Sequence, residues 1–124
     1  MAYHGKIQLT IFVIAPPDQV AEGERIFQSH GPWMEATHHR SGDKALLSYN
    51  VSKGPELSDP TNLNSAPTGN TCFVLTETYE SKAGVLDHFE QAKESWRDAP
   101  AQLKWLEKCK FMFVAAAPVI NSLW

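Results

Sequence analysis

Residues 6–14 read KIQLTIFVI, and this run constrains the chain more than any other. Ile7, Leu9, Ile11 and Val13 fall on one side of an extended chain, and Lys6, Gln8, Thr10 and Phe12 on the other. Strict period two with β-branched enrichment predicts a strand. One face is wholly apolar and needs helices over it. The other is mixed and expects a partly polar neighbour.

The rest of the chain is punctuated around that strand. Pro16-Pro17-Asp18 stops it, Asp18 is a candidate N-cap, and Glu22 and Glu24 suit the positive end of a helix dipole. His30-Gly31-Pro32 is a stop signal, so the first helix is predicted over 18–30, with residues 33–43 as an extended arm. A second strand is predicted over 44–52, placing Ala45, Leu47, Tyr49 and Val51 on one face and Leu46, Ser48 and Asn50 on the other. Residues 53–70 contain Pro55, Pro60 and Pro67 among Gly, Asn and Ser, and read as a long loop with the composition of a semi-ordered lid. A third strand follows over 71–80, with Phe73, Leu75, Glu77 and Tyr79 on one face. Ser81 caps a helix over 82–98 whose stripe is Val85, Leu86, Phe89, Ala92 and Trp96. A short helical piece from Pro100, a fourth strand over 110–117 and an apolar tail ending at Trp124 complete the chain.

The order is β-α-β-β-α-β in one domain spanning 1–124. A four-stranded antiparallel sheet with helices on one face, the ferredoxin-like α+β arrangement, satisfies it. Two helices cover one sheet face only. The other face, either the one holding Phe12, Phe73 and Leu75 or its opposite, needs a partner, and a second copy is the simplest one. The tail residues Val119, Ile120, Leu123 and Trp124 suggest that the tail joins that homodimer contact.

Composition narrows the function classes. Eleven Lys and Arg against 14 Asp and Glu give a net charge of -3, which argues against a basic nucleic-acid binder. No apolar run reaches the roughly 18 residues of a membrane span, and no leader pattern opens the chain, so the expectation is a cytoplasmic protein with no membrane partner. Cys72 and Cys109 make no disulfide framework. Phosphate-binding glycine loops, GxSxG and the common zinc spacings are absent. His38 and His39 point to opposite sides of an extended chain and do not grip one ion together. A metal set from His30, His38 and His88 would need a proximity in the fold that no spacing shows, so the expectation is no metal and no cofactor.

Residues 73–89, FVLTETYESKAGVLDHF, resemble the dimeric α+β barrel superfamily, in particular the antibiotic biosynthesis monooxygenase-like group. Glu77, Tyr79, Ser81, Val85 and His88 carry the resemblance: a strand ending in Glu-x-aromatic, a cap, then a helix of small and aliphatic residues leading to His. The loop over 53–70 and the helical piece over 100–107 depart from the plain pattern. The resemblance implies a dimeric barrel and a group that includes cofactor-independent oxygenases of aromatic polyketides, haem-degrading enzymes and small isomerases.

His88 is the chief catalytic candidate. Its helical neighbours Ser81, Gly84, Ala92 and Ser95 are all small, so it faces either free space or another backbone. Gly84 costs a helix roughly 1 kcal/mol against Ala and needs a reason. A near-neutral imidazole suits an acid/base role, or a structural bond to a carbonyl or to Glu77. Glu77, in an apolar strand, must be hydrogen-bonded, paired with Lys6 or Arg40, or protonated. Glu77 is the second catalytic candidate, setting the tautomer of a nearby His. Tyr79, Trp33, Tyr49, Asn50 and Gly84 are candidates for a small-molecule pocket. Two functions fit: an enzyme resembling cofactor-independent monooxygenases on an aromatic or polyketide-like substrate, or a non-catalytic ligand-binding or stress-related module on the same fold.

Overall fold

The computed structural model describes residues 2–124. Its elements are β1 (Ile7–Ala15), a 3-10 turn (Pro17–Gln19), α1 (Val20–Thr37), β2 (Leu46–Leu57), β3 (Pro67–Tyr79), α2 (Lys82–Ser95), α3 (Ala99–Glu107) and β4 (Lys110–Pro118). The strands form one sheet in the order β2-β3-β1-β4, and each neighbouring pair is antiparallel. This is the ferredoxin-like arrangement the element order predicts.

Register explains the core. Leu9, Ile11 and Val13 pair with Glu77, Leu75 and Phe73, and Tyr49 and Val51 pair with Glu77 and Leu75 from the other side. These residues share the face that the helices cover. Leu9, Ile11, Val13, Phe73 and Leu75 are buried there with Ile26, Phe27 and Trp105. Phe12 pairs with Val74 and Met112, so it lies on the open face, opposite Phe73 and Leu75. The three do not share a face, because Phe12 and Phe73 lie one residue out of register and side chains alternate.

Three boundaries differ from the sequence reading. First, α1 does not stop at His30. It continues through Pro32 to Thr37, and its buried residues Gly23, Ile26, Phe27, His30 and Met34 keep helical spacing across the proline. A mid-helix proline costs about 3 kcal/mol. Burial of Met34 on the following turn is of comparable size and opposes that cost. Trp33 therefore stands on a helix, not on an extended arm. Second, the lid over 53–70 is mostly a hairpin. β2 runs to Leu57, β3 starts at Pro67, and the ladder holds from Lys53–Phe73 to Leu57–Pro67 with one irregularity. Only 58–66 connect the strands, tied by Asp59, Thr61 and Ser65 side-chain bonds. Pro55 is accommodated because β2 is an edge strand, Pro60 lies in the connection, and Pro67 is the first residue of β3. Third, α2 ends at Ser95 and α3 is a separate helix from Ala99. Leu86, placed in the apolar stripe by sequence, is 64% exposed, and the buried line of α2 is Gly84, Val85 and His88.

The open face carries Phe12, Ile14, Cys72 and Val74 half-buried beside exposed Met112 and Val114. The tail does not fold back onto a helix. It follows the N-terminal residues, with Val119 N–H donating to the Lys6 carbonyl (2.8 Å) and Gly5 N–H to the Val119 carbonyl (2.9 Å). Ile120, Leu123 and Trp124 remain exposed. No described helix is long and apolar enough to cross a membrane.

α1 and α3 meet at Gly23. A Cβ built there would lie 2.4 Å from Cζ2 of Trp105, an indole anchored by its Nε1–H to the Gln19 carbonyl (2.9 Å). Gly23→Ala gains about 1 kcal/mol of helix propensity, yet forces a buried ring to move at a cost of about 1–3 kcal/mol. The expected net effect is destabilising, a fall in Tm of roughly 4 °C in thermal denaturation. An unchanged or higher Tm would show that the helices separate freely.

Candidate functional site

The helix-covered face holds a polar group inside an aromatic shell. Glu77 and Tyr79 come from the end of β3, Tyr49 from β2, His30 and Trp33 from α1, His38 from the C-terminal cap of α1, His88 from α2 and Trp96 from the α2–α3 junction. Glu77, Tyr79, His30, His38 and His88 are buried. Trp33 stacks on Trp96 with centroids 5.8 Å apart, and His30 meets Trp96 edge-on at 4.7 Å.

A chain of hydrogen bonds fixes the tautomers. Thr37 Oγ1 donates to the Trp33 carbonyl (2.7 Å), so its oxygen accepts from Nδ1–H of His38 (2.9 Å). His38 Nε2 is then an acceptor, and the His38 Nε2 to His88 Nδ1 bond of 2.8 Å makes His88 Nδ1–H the donor. The lone pair of His88 is thereby placed on Nε2. His30 Nδ1 bonds the Tyr49 hydroxyl at 2.9 Å. Tyr79 O–H donates to Glu77 Oε1 at 2.5 Å, and the same carboxylate oxygen lies 3.9 Å from His88 Nδ1. Glu77 Oε2 is buried with no hydrogen-bond partner. Lys6 and Arg40 do not serve Glu77, and the Lys6 ammonium goes to Glu80 (2.5 Å).

Burial governs the electrostatics. It raises the Glu77 carboxyl to about 7 against the opposing pull of the Tyr79 hydrogen bond. Burial, with His38 nearby, lowers His30 to about 4. Burial lowers His88 to about 3, helped by His38 and His30. His38 is also lowered by burial, with Asp87 opposing. Both tyrosine hydroxyls are pushed up, by burial first and by the Glu77 charge second. At neutral pH all three rings are uncharged, with one nitrogen of each free of its proton.

Two cavities flank this group. One, of about 350 Å³, lies between the sheet and α2–α3, and Leu9, Ile11, Leu75, Phe89, Trp96 and Phe113 form its apolar walls. His30 and His88 are its imidazoles, with Lys93 and Gln102 also in the lining. The other, of about 310 Å³, is lined by His38 and Tyr49 with Met34, Arg40 and Leu46. The His38–His88 and Tyr49–His30 bonds thus bridge the two cavities.

Of the residues singled out by sequence, the structure brings together His88, Glu77, Tyr79, Tyr49 and Trp33. Asn50 pairs with Thr76 across the ladder and is exposed on the open face, away from both cavities. Gly84 lies behind the group. A Cβ there would stand 2.6 Å from the Tyr79 ring and 3.0 Å from the Lys44 carbonyl oxygen. His30 and His38 are not among the site residues expected from the sequence, which offers them only with His88 as a metal set lacking any spacing to support it. The signal for His30 was available in the 23-26-27-30-34 spacing, which the Gly31-Pro32 stop signal obscured. His38 had no signal beyond the alternation that buries it and exposes His39.

Gly84→Ala tests how tightly the group is held. Neither the Tyr79 ring nor the Lys44 backbone is a free end, so a methyl here must displace one of them. Tm is expected to fall by several degrees, and the tyrosine ultraviolet absorption should change as Tyr79 leaves Glu77. Retention of both would show slack around Tyr79.

No family model matches this chain, and no curated protein does. Among solved structures the chain is similar to a dimeric ferredoxin-like protein from an uncultured marine organism, with a TM-score of 0.56 and 14% identity over 94% of this chain and 99% of that one. At that identity the likeness speaks to fold, and the fold it supports is the ferredoxin-like α+β sheet described above.

Proposed function

We propose that this chain is a homodimeric protein that takes a small, flat, largely apolar molecule into the cavity between the sheet and α2–α3. His88 Nε2 accepts the hydrogen bond of an acidic hydroxyl on it, and the ring, lowered to about 3 chiefly by burial, takes the proton as the adjoining anion raises its basicity. The observation that carries the reading is the pairing of apolar walls with uncharged imidazoles, of which His88 keeps its lone pair on Nε2. A cavity of about 350 Å³ sits at the small end of ligand sites, so it suits a fused-ring compound better than a lipid or a peptide. An acidic hydroxyl on such a compound meets the His88 lone pair, and His38 bonds that ring from behind. Proton acceptance in a dry apolar pocket is the step that cofactor-independent monooxygenases of aromatic substrates rely on. That likeness, and the Glu77-x-Tyr79 to His88 pattern, favour this group over other ferredoxin-like proteins.

Tryptophan fluorescence with a panel of hydroxylated naphthalenes and anthracenes tests the reading, because Trp96 lines the cavity. At least one compound should quench wild type saturably and raise its Tm. Ala92→Phe, which fills the cavity, should abolish both effects while the fold persists by circular dichroism. His88→Ala should weaken binding of the phenolate-forming compounds at least tenfold. If no compound binds, or Ala92→Phe binds equally well, the reading fails. A compound that binds under oxygen and is recovered unchanged would favour the second reading, a non-catalytic binding module.

The dimer is part of the proposal. Met112 and Val114 are 69% and 48% exposed beside Phe12, Ile14 and Val74, a patch of the kind that self-association covers. The similar solved protein is itself described as dimeric. Light scattering should give twice the chain mass of 13.8 kDa. The double variant Met112→Asp, Val114→Arg should give a folded monomer. A wild-type monomer would overturn the assembly.

A further inference from the structure

We propose that His30, His88 and Glu77 bind one divalent transition-metal ion per chain, with an open coordination position toward the apolar cavity. This deepens the reading of that cavity as a ligand site and rests on it for the ion's role, though not for the ion's binding.

One nitrogen from each of the two rings and one carboxylate oxygen lie within 4.8 Å of one another, and all three residues are buried. Ligand bonds of about 2.0–2.2 Å set donors roughly 3.4 Å apart around a tetrahedral ion, so the three side chains close on it by roughly 1 Å. The grouping is assembled from α1, β3 and α2, which is why no sequence spacing announces it.

A second, independent observation points to a ligand. Glu77 has no solvent exposure, and its Oε2 has no partner of any kind. An orphaned carboxylate oxygen in an apolar interior is costly unless something of opposite charge meets it. Oε1 is already taken by the Tyr79 hydroxyl, which leaves Oε2 as the donor atom.

Outer partners complete the case. Metal-binding imidazoles characteristically engage the second ring nitrogen with a fixed neighbour, and ligating carboxylates are themselves hydrogen-bonded. Here Tyr49 holds Nδ1 of His30, His38 holds Nδ1 of His88, and Tyr79 holds Oε1 of Glu77. The Thr37–His38–His88 chain fixes the tautomer that presents Nε2 of His88 as a lone pair. Each of the three ligands thus has its own support.

Two imidazoles and one carboxylate suit zinc, ferrous iron or cobalt, whereas magnesium and calcium prefer all-oxygen surroundings. Three protein ligands leave room for a further one, and His30 and His88 also line the cavity of about 350 Å³. An ion there would polarise a hydroxyl or carbonyl of the bound molecule, taking over the part the bare imidazoles play without it.

Tag-free protein, stripped with chelator and dialysed, is titrated with Zn²⁺ by calorimetry and with Co²⁺ by visible absorption. Wild type should take up one equivalent of either ion, with a Co²⁺ spectrum unlike that of the aquo ion. Glu77→Gln, which preserves shape, and His30→Gln should each weaken binding at least tenfold. Tyr79→Phe should weaken it by roughly 10–100-fold through the lost outer partner. His4→Ala, on the exposed N-terminal segment, should change nothing. Failure of wild type to bind, or equal affinity in Glu77→Gln and His30→Gln, overturns the proposal. If both variants unfold, the wild-type Co²⁺ spectrum decides, since an aquo-like spectrum means no imidazole ligation. Ala92→Phe should still bind the ion while losing the organic compound, so failure of the cavity reading and failure of the metal site give different results.

Discussion

Glu77 is a carboxyl group with no solvent exposure, set in the middle of the helix-covered sheet face between Leu9 on β1 and Tyr49 on β2. Burying such a group costs free energy in either protonation state unless its oxygens find partners. The surroundings supply one, the Tyr79 hydroxyl, and leave the other oxygen bare. Everything polar nearby is arranged around that deficit. The two tyrosines flank the carboxyl, His88 approaches it to 3.9 Å, and the aromatic shell of Trp33 and Trp96 keeps the surroundings apolar. A sheet built for stability alone would place an aliphatic residue at this position, as it does at Leu75 two residues earlier.

The neutral imidazoles follow from the same burial. Three rings close together cannot all carry charge in an apolar interior, and here none does. What distinguishes the cluster from three incidental core histidines is direction. Thr37 is committed as a donor to the Trp33 carbonyl, and that commitment is passed ring to ring until the free lone pair comes to rest on His88 Nε2. A backbone carbonyl on α1 thereby sets the chemistry of a side chain on α2.

The strands, their order and the helix-facing side of β1 were legible because period-two patterning reports burial directly. The residues 73, 75, 77 and 79 were placed on one face for that reason, and Glu77 and Tyr79 are neighbours of His88 as the alternation suggested. The proline signals misled. Pro32 marks a helix end locally, but the buried line of α1 runs through it, and tertiary packing prevails over a local cost of about 3 kcal/mol. Pro55 and Pro67 mark a loop locally, but Pro55 stands on the edge strand β2 and Pro67 is the first residue of β3, and both are places where a sheet tolerates proline. Asn50 was one residue out of place: Tyr49 faces the site and Asn50 faces away, the alternation that placed the neighbouring residues correctly.

The clustering of His30, Glu77 and His88 was not legible for a different reason. Each comes from a separate element, and 47 and 11 positions separate them along the chain. Short motifs announce sites whose ligands share a helix turn or a loop. A ferredoxin-like sheet instead brings together whatever stands at the same height on β3, on α1 and on α2. Glu77 fixes that height on the sheet. His30 reaches it from the buried line of α1, and His88 reaches it because Gly84, one turn earlier, lets α2 press against Tyr79 and the Lys44 carbonyl. A side chain at 84 would lift the helix and carry His88 away from the carboxyl. The glycine that sequence reading marked as a pocket residue does its work at a distance, by setting how close a helix can come.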